Sequence, residues 1–142
     1  MNATARPVLY WAIAVFALLW NLIGLAMFWV QVTLPPQAVA ALPPDQQQIH
    51  AAMPGWVYVF FGIAVVGGVL GSLGLLLRRR WAVPLLLLSL LGVAVQMASA
   101  YATTPVWALT GMAGTMFPLL LVGACLLLWL FARRAAACGW LR

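Results

Sequence analysis

Four stretches of this 142-residue chain carry no charged side chain: residues 8–30, 55–77, 81–102 and 106–132. Each is long enough for a helix to cross hydrocarbon, which takes about 20 residues for about 30 Å. No other feature constrains the fold as tightly. A lipid-exposed segment of this length must satisfy its backbone polar groups internally, and a helix does so. The composition agrees: 67% of residues are hydrophobic and 6% charged, with a mean hydropathy of +1.10. Soluble domains sit nearer 45–50% apolar with about a quarter charged. The expected fold is an all-α bundle of four transmembrane helices, one integral membrane domain covering residues 1–142, with no room for a separate soluble domain.

The charges that remain set an expected topology. All seven basic residues are Arg, Asp45 is the only acid, and the net charge is +6. Arg6 precedes span one, Arg78, Arg79 and Arg80 fill the turn between spans two and three, and Arg133, Arg134 and Arg142 follow span four. The other two connections, residues 31–54 and 103–105, hold no basic residue. The positive-inside rule then places both termini and the arginine turn in the cytoplasm. Arginines at the ends of apolar runs read as topology signals and phospholipid headgroup contacts, not as the solvated basic face of a nucleic-acid binder. Span one is too long for the ~7–15-residue apolar region of a signal peptide and lacks a small-x-small cleavage site after it, so it reads as an uncleaved span. Two belts of aromatics frame the bilayer: Tyr10, Trp11, Trp81 and Trp129 at the inner interface, and Trp29, Trp56, Tyr58, Tyr101 and Trp107 at the outer one.

The outer loop 31–54 contains Pro35-Pro36 and Pro43-Pro44, then Asp45 with Gln48 three residues on, and Pro54. That pattern predicts one or two short surface helices, with Asp45 as N-cap of a capping box, and with Ile49 and Met53 facing the bilayer or the bundle. Span two is rich in small residues. Gly67/Gly71 and Gly68/Ser72 form small-xxx-small pairs that let backbones approach closely, which marks span two as the central helix and Gly67 and Gly71 as packing residues. Pro118, mid-span, should kink span four unless a neighbour satisfies the freed carbonyl.

Asn21 and Gln96 are the most polar side chains within the spans. Counted from the inner end, Asn21 is 13 residues past Val8, Gln96 15 past Trp81, Thr115 17 before Ala132 and Gly62 15 before Leu77. On that count all four share a layer somewhat outside the midplane. Asn21, Gln96 and Thr115 are thus candidate ligands for a neutral polar solute. Interhelical hydrogen bonding that fixes register is the competing role for the amides. His50 and Asp45, five residues apart, point in different directions on a helix and read as an interfacial histidine and a helix cap. Cys125 within span four and Cys138 beyond it lie at different depths and should not pair. There is no metal-ligand set and no cofactor motif. No ionisable Asp, Glu, Lys, Arg or His lies within a span, which disfavours proton-driven antiport. The chain also lacks the residue sets of membrane hydrolases and quinone-linked thiol enzymes, so the expectation is a non-enzyme.

Several segments carry a resemblance: Trp20-Asn21-Leu22-Ile23-Gly24, the loop from Ala41-Leu42-Pro43 to Met53-Pro54-Gly55-Trp56, the turn Arg78-Arg79-Arg80-Trp81-Ala82-Val83-Pro84, and the tail from Ala132-Arg133-Arg134 to Gly139-Trp140-Leu141-Arg142. Together they resemble, over nearly the whole chain, a group of small bacterial four-span inner-membrane proteins that often carry the label "sugar transporter". The resemblance implies the inner membrane and transport, and it brings no functional residues with it. A sugar site needs several hydroxyl-matching groups and an aromatic platform, which Asn21, Gln96, Thr115 and the tryptophans would supply only in a homo-oligomer. The two expectations are therefore a small transporter or channel for a neutral polar solute such as a sugar, and an accessory, assembly or lipid-organising subunit that packs on a partner membrane protein.

Overall fold

The computed structural model describes residues 8–142, so Arg6 lies outside the described residues. It contains six helices and, among those residues, no strand: α1 (Val8–Val32), α2 (Pro36–Ala40), α3 (Pro44–Ala52), α4 (Gly55–Leu76), α5 (Ala82–Thr103) and α6 (Val106–Ala137). Four of these, α1, α4, α5 and α6, are long and apolar enough to span a bilayer. The chain is a multi-pass membrane protein. The long helices run alternately up and down. The start of α1, the end of α4, the start of α5 and the end of α6 meet in one core of Tyr10, Ala14, Leu75, Ala82, Leu86, Ala132, Ala135 and Leu141. This is the arginine end of the bundle; α2 and α3 lie at the opposite, loop end.

α4 owes its position to its small residues. A Cβ added at Gly67 would lie 3.2 Å from the Leu85 carbonyl oxygen of α5, and one at Gly71 only 2.6 Å from Leu86 Cγ. α5 answers with Gly92, whose added Cβ would lie 3.1 Å from both the Phe60 carbonyl and the Ala64 amide nitrogen of α4. The two backbones touch, which is how helices gain dispersion energy in a solvent as apolar as their own side chains. The other face of α4 receives α1: Phe28 covers Gly62, Val65 sits against Gly24, and the Asn21 amide occupies the place of a Gly68 side chain. α6 packs chiefly on α5.

The arginine end is closed by backbone geometry. α4 ends as Arg78 turns to a left-handed φ of 58°, and the amides of Arg78 and Arg79 bond back to Leu75 and Gly74 at 3.2 and 2.8 Å. α6 ends in the same Schellman turn, with Gly139 at φ 74° and the amides of Gly139 and Trp140 bonded to Ala136 and Ala135. The tail then folds across the arginine turn. The Arg142 amide donates to the Arg78 carbonyl at 2.6 Å, and the Arg80 amide donates to the Arg142 carbonyl at 2.8 Å. The Tyr10 hydroxyl donates to the Leu75 carbonyl, one of the acceptors a helix leaves at its last turn. Tyr10 is fully buried, against Phe131 and Trp140 at 5.7 Å between ring centroids. It is thus not part of an interfacial belt. Trp11, Trp81, Trp29, Trp56 and Trp107 are exposed, whereas Trp129 is half-buried with Arg133 stacked 5.0 Å from its ring centroid.

One local expectation is corrected. Asp45 is not an N-cap: Pro43 holds that position, Pro44 begins α3, and no side chain caps it. Proline has its φ preset for the first helical position and lacks the amide a cap would serve, so it starts the helix two residues early. α2 likewise begins at Pro36, and its far end is capped by Gln47, whose Nε2 donates to the carbonyls of Ala40 and Leu42 at 3.0 and 2.7 Å. In α6 the backbone breaks at Gly111 (φ 58°, ψ −147°) and stays helical at Pro118. The Gly114 carbonyl that Pro118 leaves without a partner is met by the Tyr101 hydroxyl at 3.5 Å, so the helix can continue.

Two substitutions test this packing. Gly92→Val drives a branched side chain into α4 backbone that has no rotamer to yield, and should lower stability in detergent by about 1–3 kcal/mol; an unchanged melting temperature would mean the helices do not touch there. Arg78→Gly removes a left-handed strain of about 1–2 kcal/mol and should raise thermal stability. A loss instead would show that the arginine side chain contributes more than its backbone strain.

Candidate functional site

The row of contacts α1–α4–α5–α6 leaves a seam between α1 and α6. It is sealed at the arginine end by Tyr10 against Phe131 and Trp140 and open above. A cavity of about 410 Å³ lies in the seam, lined by Ile13, Phe16, Ala17 and Trp20 of α1, Leu86 and Ser89 of α5, and α6 side chains from Leu120 to Phe131. A second, of about 820 Å³, occupies the loop-end half of the bundle beneath α3. Trp20, Asn21, Ser89 and Cys125 line both, so the two form one groove with a polar waist. Both volumes fall in the range of about 300–1,000 Å³ typical of small-molecule sites.

The waist is built by hydrogen bonds. Asn21 Nδ2 donates to the Ala17 carbonyl at 2.8 Å and to Ser72 Oγ at 3.2 Å. Ser72 donates to the Gly68 carbonyl at 2.7 Å, and Ser89 donates across to the Ala64 carbonyl of α4 at 2.6 Å. Asn21 therefore ties α1 to α4, as the interhelical role requires, and it also borders the groove. At the loop end the lining turns polar, with Gln31, Gln46, His50, Tyr58 and Gln96. His50 Nδ1 lies 3.4 Å from the Tyr58 hydroxyl. Ile49 and Met53 also face this cavity, so α3 turns its apolar side to the bundle. Asp45 is exposed.

Gln96 stands apart from these groups. Its Oε1 is buried and has no hydrogen-bond partner among the described residues. Uncharged acceptors left this way cost about 1–3 kcal/mol in a dry interior, and a native chain that keeps one invites a donor from outside.

Neither a protein-family model, nor a curated protein, nor a solved structure matches the chain.

The candidate residues do not form one layer. Asn21 meets Gly68 and lies near Ser89, and Gln96 is seven residues beyond Ser89 along α5, roughly 10 Å nearer the loop end. Thr115 is farther still. It accepts from the Tyr101 hydroxyl at 3.1 Å and donates to the Gly111 carbonyl at 3.0 Å, and it lines neither cavity. Gly62 sits under Phe28, not beside Asn21. The count from the inner ends failed because the helices start at different heights, and because α6 runs on to Ala137, five residues past the expected edge. Gly67 and Gly71 pack against α5 within the same chain, so no glycine face is left for a partner there. Sequence reasoning missed Ser89, although a lone serine in the run Leu85–Leu91 was a visible signal, and it missed the loop-end set, which depends on how α3 folds back. The place of Cys125 on the groove wall is not visible from spacing. No cluster of three or more metal-ligating side chains occurs among the described residues.

The two amides should respond oppositely to leucine. Asn21→Leu removes the α1–α4 bond and fails to fit against Gly68, lowering stability by about 0.6–1.7 kcal/mol. Gln96→Leu removes an unsatisfied acceptor and should leave stability unchanged or higher. Thermal unfolding of both variants in one detergent checks the pair, and a destabilised Gln96→Leu would show that this amide is structural.

Proposed function

We propose that this is a bacterial inner-membrane protein that binds a small neutral solute in the groove between α1 and α6 and passes it through the membrane region, with the arginine end in the cytoplasm. The observation that carries the reading is Gln96, which lines an 820 Å³ cavity and whose Oε1 is buried without a partner among the described residues. Neutrality follows from the lining: among the described residues no arginine or carboxylate borders either cavity, and His50, Tyr58 and Cys125 are the titratable groups there. An ion entering such a wall would lose its hydration without a counter-charge. With no coupling carboxylate at hand, movement would follow the solute gradient. The role is binding and passage, not bond-making. The orientation rests on the arginine turn and the post-α6 arginines sharing one end of the bundle.

A second reading has its own support. The lips of the seam are bare: Phe16 on α1 is 66% exposed, and Leu120 and Leu127 on α6 are 67% and 68% exposed. A partner membrane protein, or a second copy, would cover them. Native mass spectrometry from lipid nanodiscs separates the two readings. Retention of a small uncharged molecule by the wild type, and its loss in Gln96→Leu, supports the solute site. A stoichiometric complex with a different protein and no small molecule would replace it with an accessory subunit.

A further inference from the structure

Resting on the solute-site reading above, the geometry points to a narrower class of ligand: we infer that the groove takes a neutral amphiphile from within the bilayer, its apolar chain lying between α1 and α6 and its uncharged donor head beneath α3.

Three features specify this occupant. The first is the direction of access. The seam is shut at the arginine end by Tyr10, Phe131 and Trp140, while its bare lips, Phe16, Leu120 and Leu127, face the hydrocarbon at mid-height. A molecule already dissolved in the bilayer reaches the groove sideways, whereas a sugar in water would have to pass α3 first. The second is the gradient of polarity. The seam half is walled chiefly by aliphatic and aromatic side chains; at the waist Asn21 and Ser89 donate their protons within the protein, beside Trp20 and Cys125. The loop-end half gathers Gln31, Gln46, His50, Tyr58 and Gln96. A ligand matching both halves is apolar along its length and polar at one end. The third is the chemistry of that end. Gln96 lines this half and its buried Oε1 lacks a partner, so a head that donates a hydrogen bond would satisfy it once the amide turns toward the cavity. Among the described residues no arginine or carboxylate lines the groove, which leaves a charged head uncompensated. A hydroxyl or primary amide fits; a phosphate or fatty carboxylate does not. The depth agrees, since Gln96 lies in the loop-end half, nearer the headgroup level of that leaflet than the midplane.

The occupant argued against is a free sugar. It would leave its many hydroxyls facing the apolar seam, and the Asn21 and Ser89 donors at the waist are already committed within the protein.

The test uses a monoacylglycerol with a photoreactive diazirine in its acyl chain, added to the full-length protein in nanodiscs, with cross-linked peptides mapped by mass spectrometry. Lipid-facing positions such as Val59 and Val66 of α4 will label in proportion to probe. Phe16, Leu120 and Cys125 should label at low probe, saturate, and be protected by unlabelled monoacylglycerol but not by glucose or by the matching fatty acid anion. Gln96→Leu should raise the concentration needed for protection roughly 3- to 10-fold, the worth of one hydrogen bond. Seam labelling that never saturates, or that Gln96→Leu leaves unchanged, overturns the amphiphile. Protection by glucose but not by monoacylglycerol overturns it too, while leaving the neutral-solute site standing. Protection by the fatty acid anion as strongly as by the neutral lipid would overturn the neutral head.

Discussion

Everything else in this molecule depends on how closely α4 can be approached. Water does not drive helices together in a bilayer, so the bundle must be held by backbone proximity and by a few interhelical hydrogen bonds. α4 supplies both on two faces. Gly67 and Gly71 admit α5, while Gly62, Gly68 and Ser72 admit Phe28 and Asn21 of α1. With both neighbours drawn to one central helix, α6 is left with α5. A row of four results, not a closed square, and the gap between its first and last members is the groove. The cavity is thus a consequence of where the small residues lie, with no side chain needed to prop it open.

Tyr10 fixes how far that gap extends. Its ring fills the arginine end between α1 and α6, and its hydroxyl adds a second bond to the Leu75 carbonyl in the last turn of α4. The arginine end is therefore the better-specified half, with two Schellman turns and a tail laced to the arginine turn. The loop end relies on short proline-started helices, on Gln47 closing α2, and on an α6 whose first turn is set off by the break at Gly111. Rigidity at one end and looser connection at the other is the arrangement expected of a site that must admit something.

The spans and the all-helical class were legible because hydrophobic length is a property of the sequence alone. The span edges agree within two residues for α1, α4 and α5, and α6 runs five longer because Arg133 and Arg134 continue the helix past the apolar run. What lay beyond reach was anything that depends on relative height. Asn21, Gln96 and Thr115 stand out as polar residues in apolar runs, but their separation arises from the stagger of the helices, which no count within a single span contains. Tyr10 looks like a belt residue by position, and only the returning tail, with Trp140 and Leu141, turns it into core. The proline in α6 could not be weighed without knowing that Tyr101 faces Gly114.

The six arginines of the described chain sit at one end and the lone Asp45 at the other. Carrying each arginine through the bilayer centre costs about 2.5–3.5 kcal/mol even on the most lenient scale, so roughly 15–20 kcal/mol for six. The chain's sidedness is consequently a decision taken once, during insertion, and never revisited at equilibrium. Copies entering the wrong way round would persist as a separate, non-interconverting population, and a potential of 100 mV would act on each charge that moved within the field with about 2.3 kcal/mol. Electrically, the molecule behaves as a one-way plug.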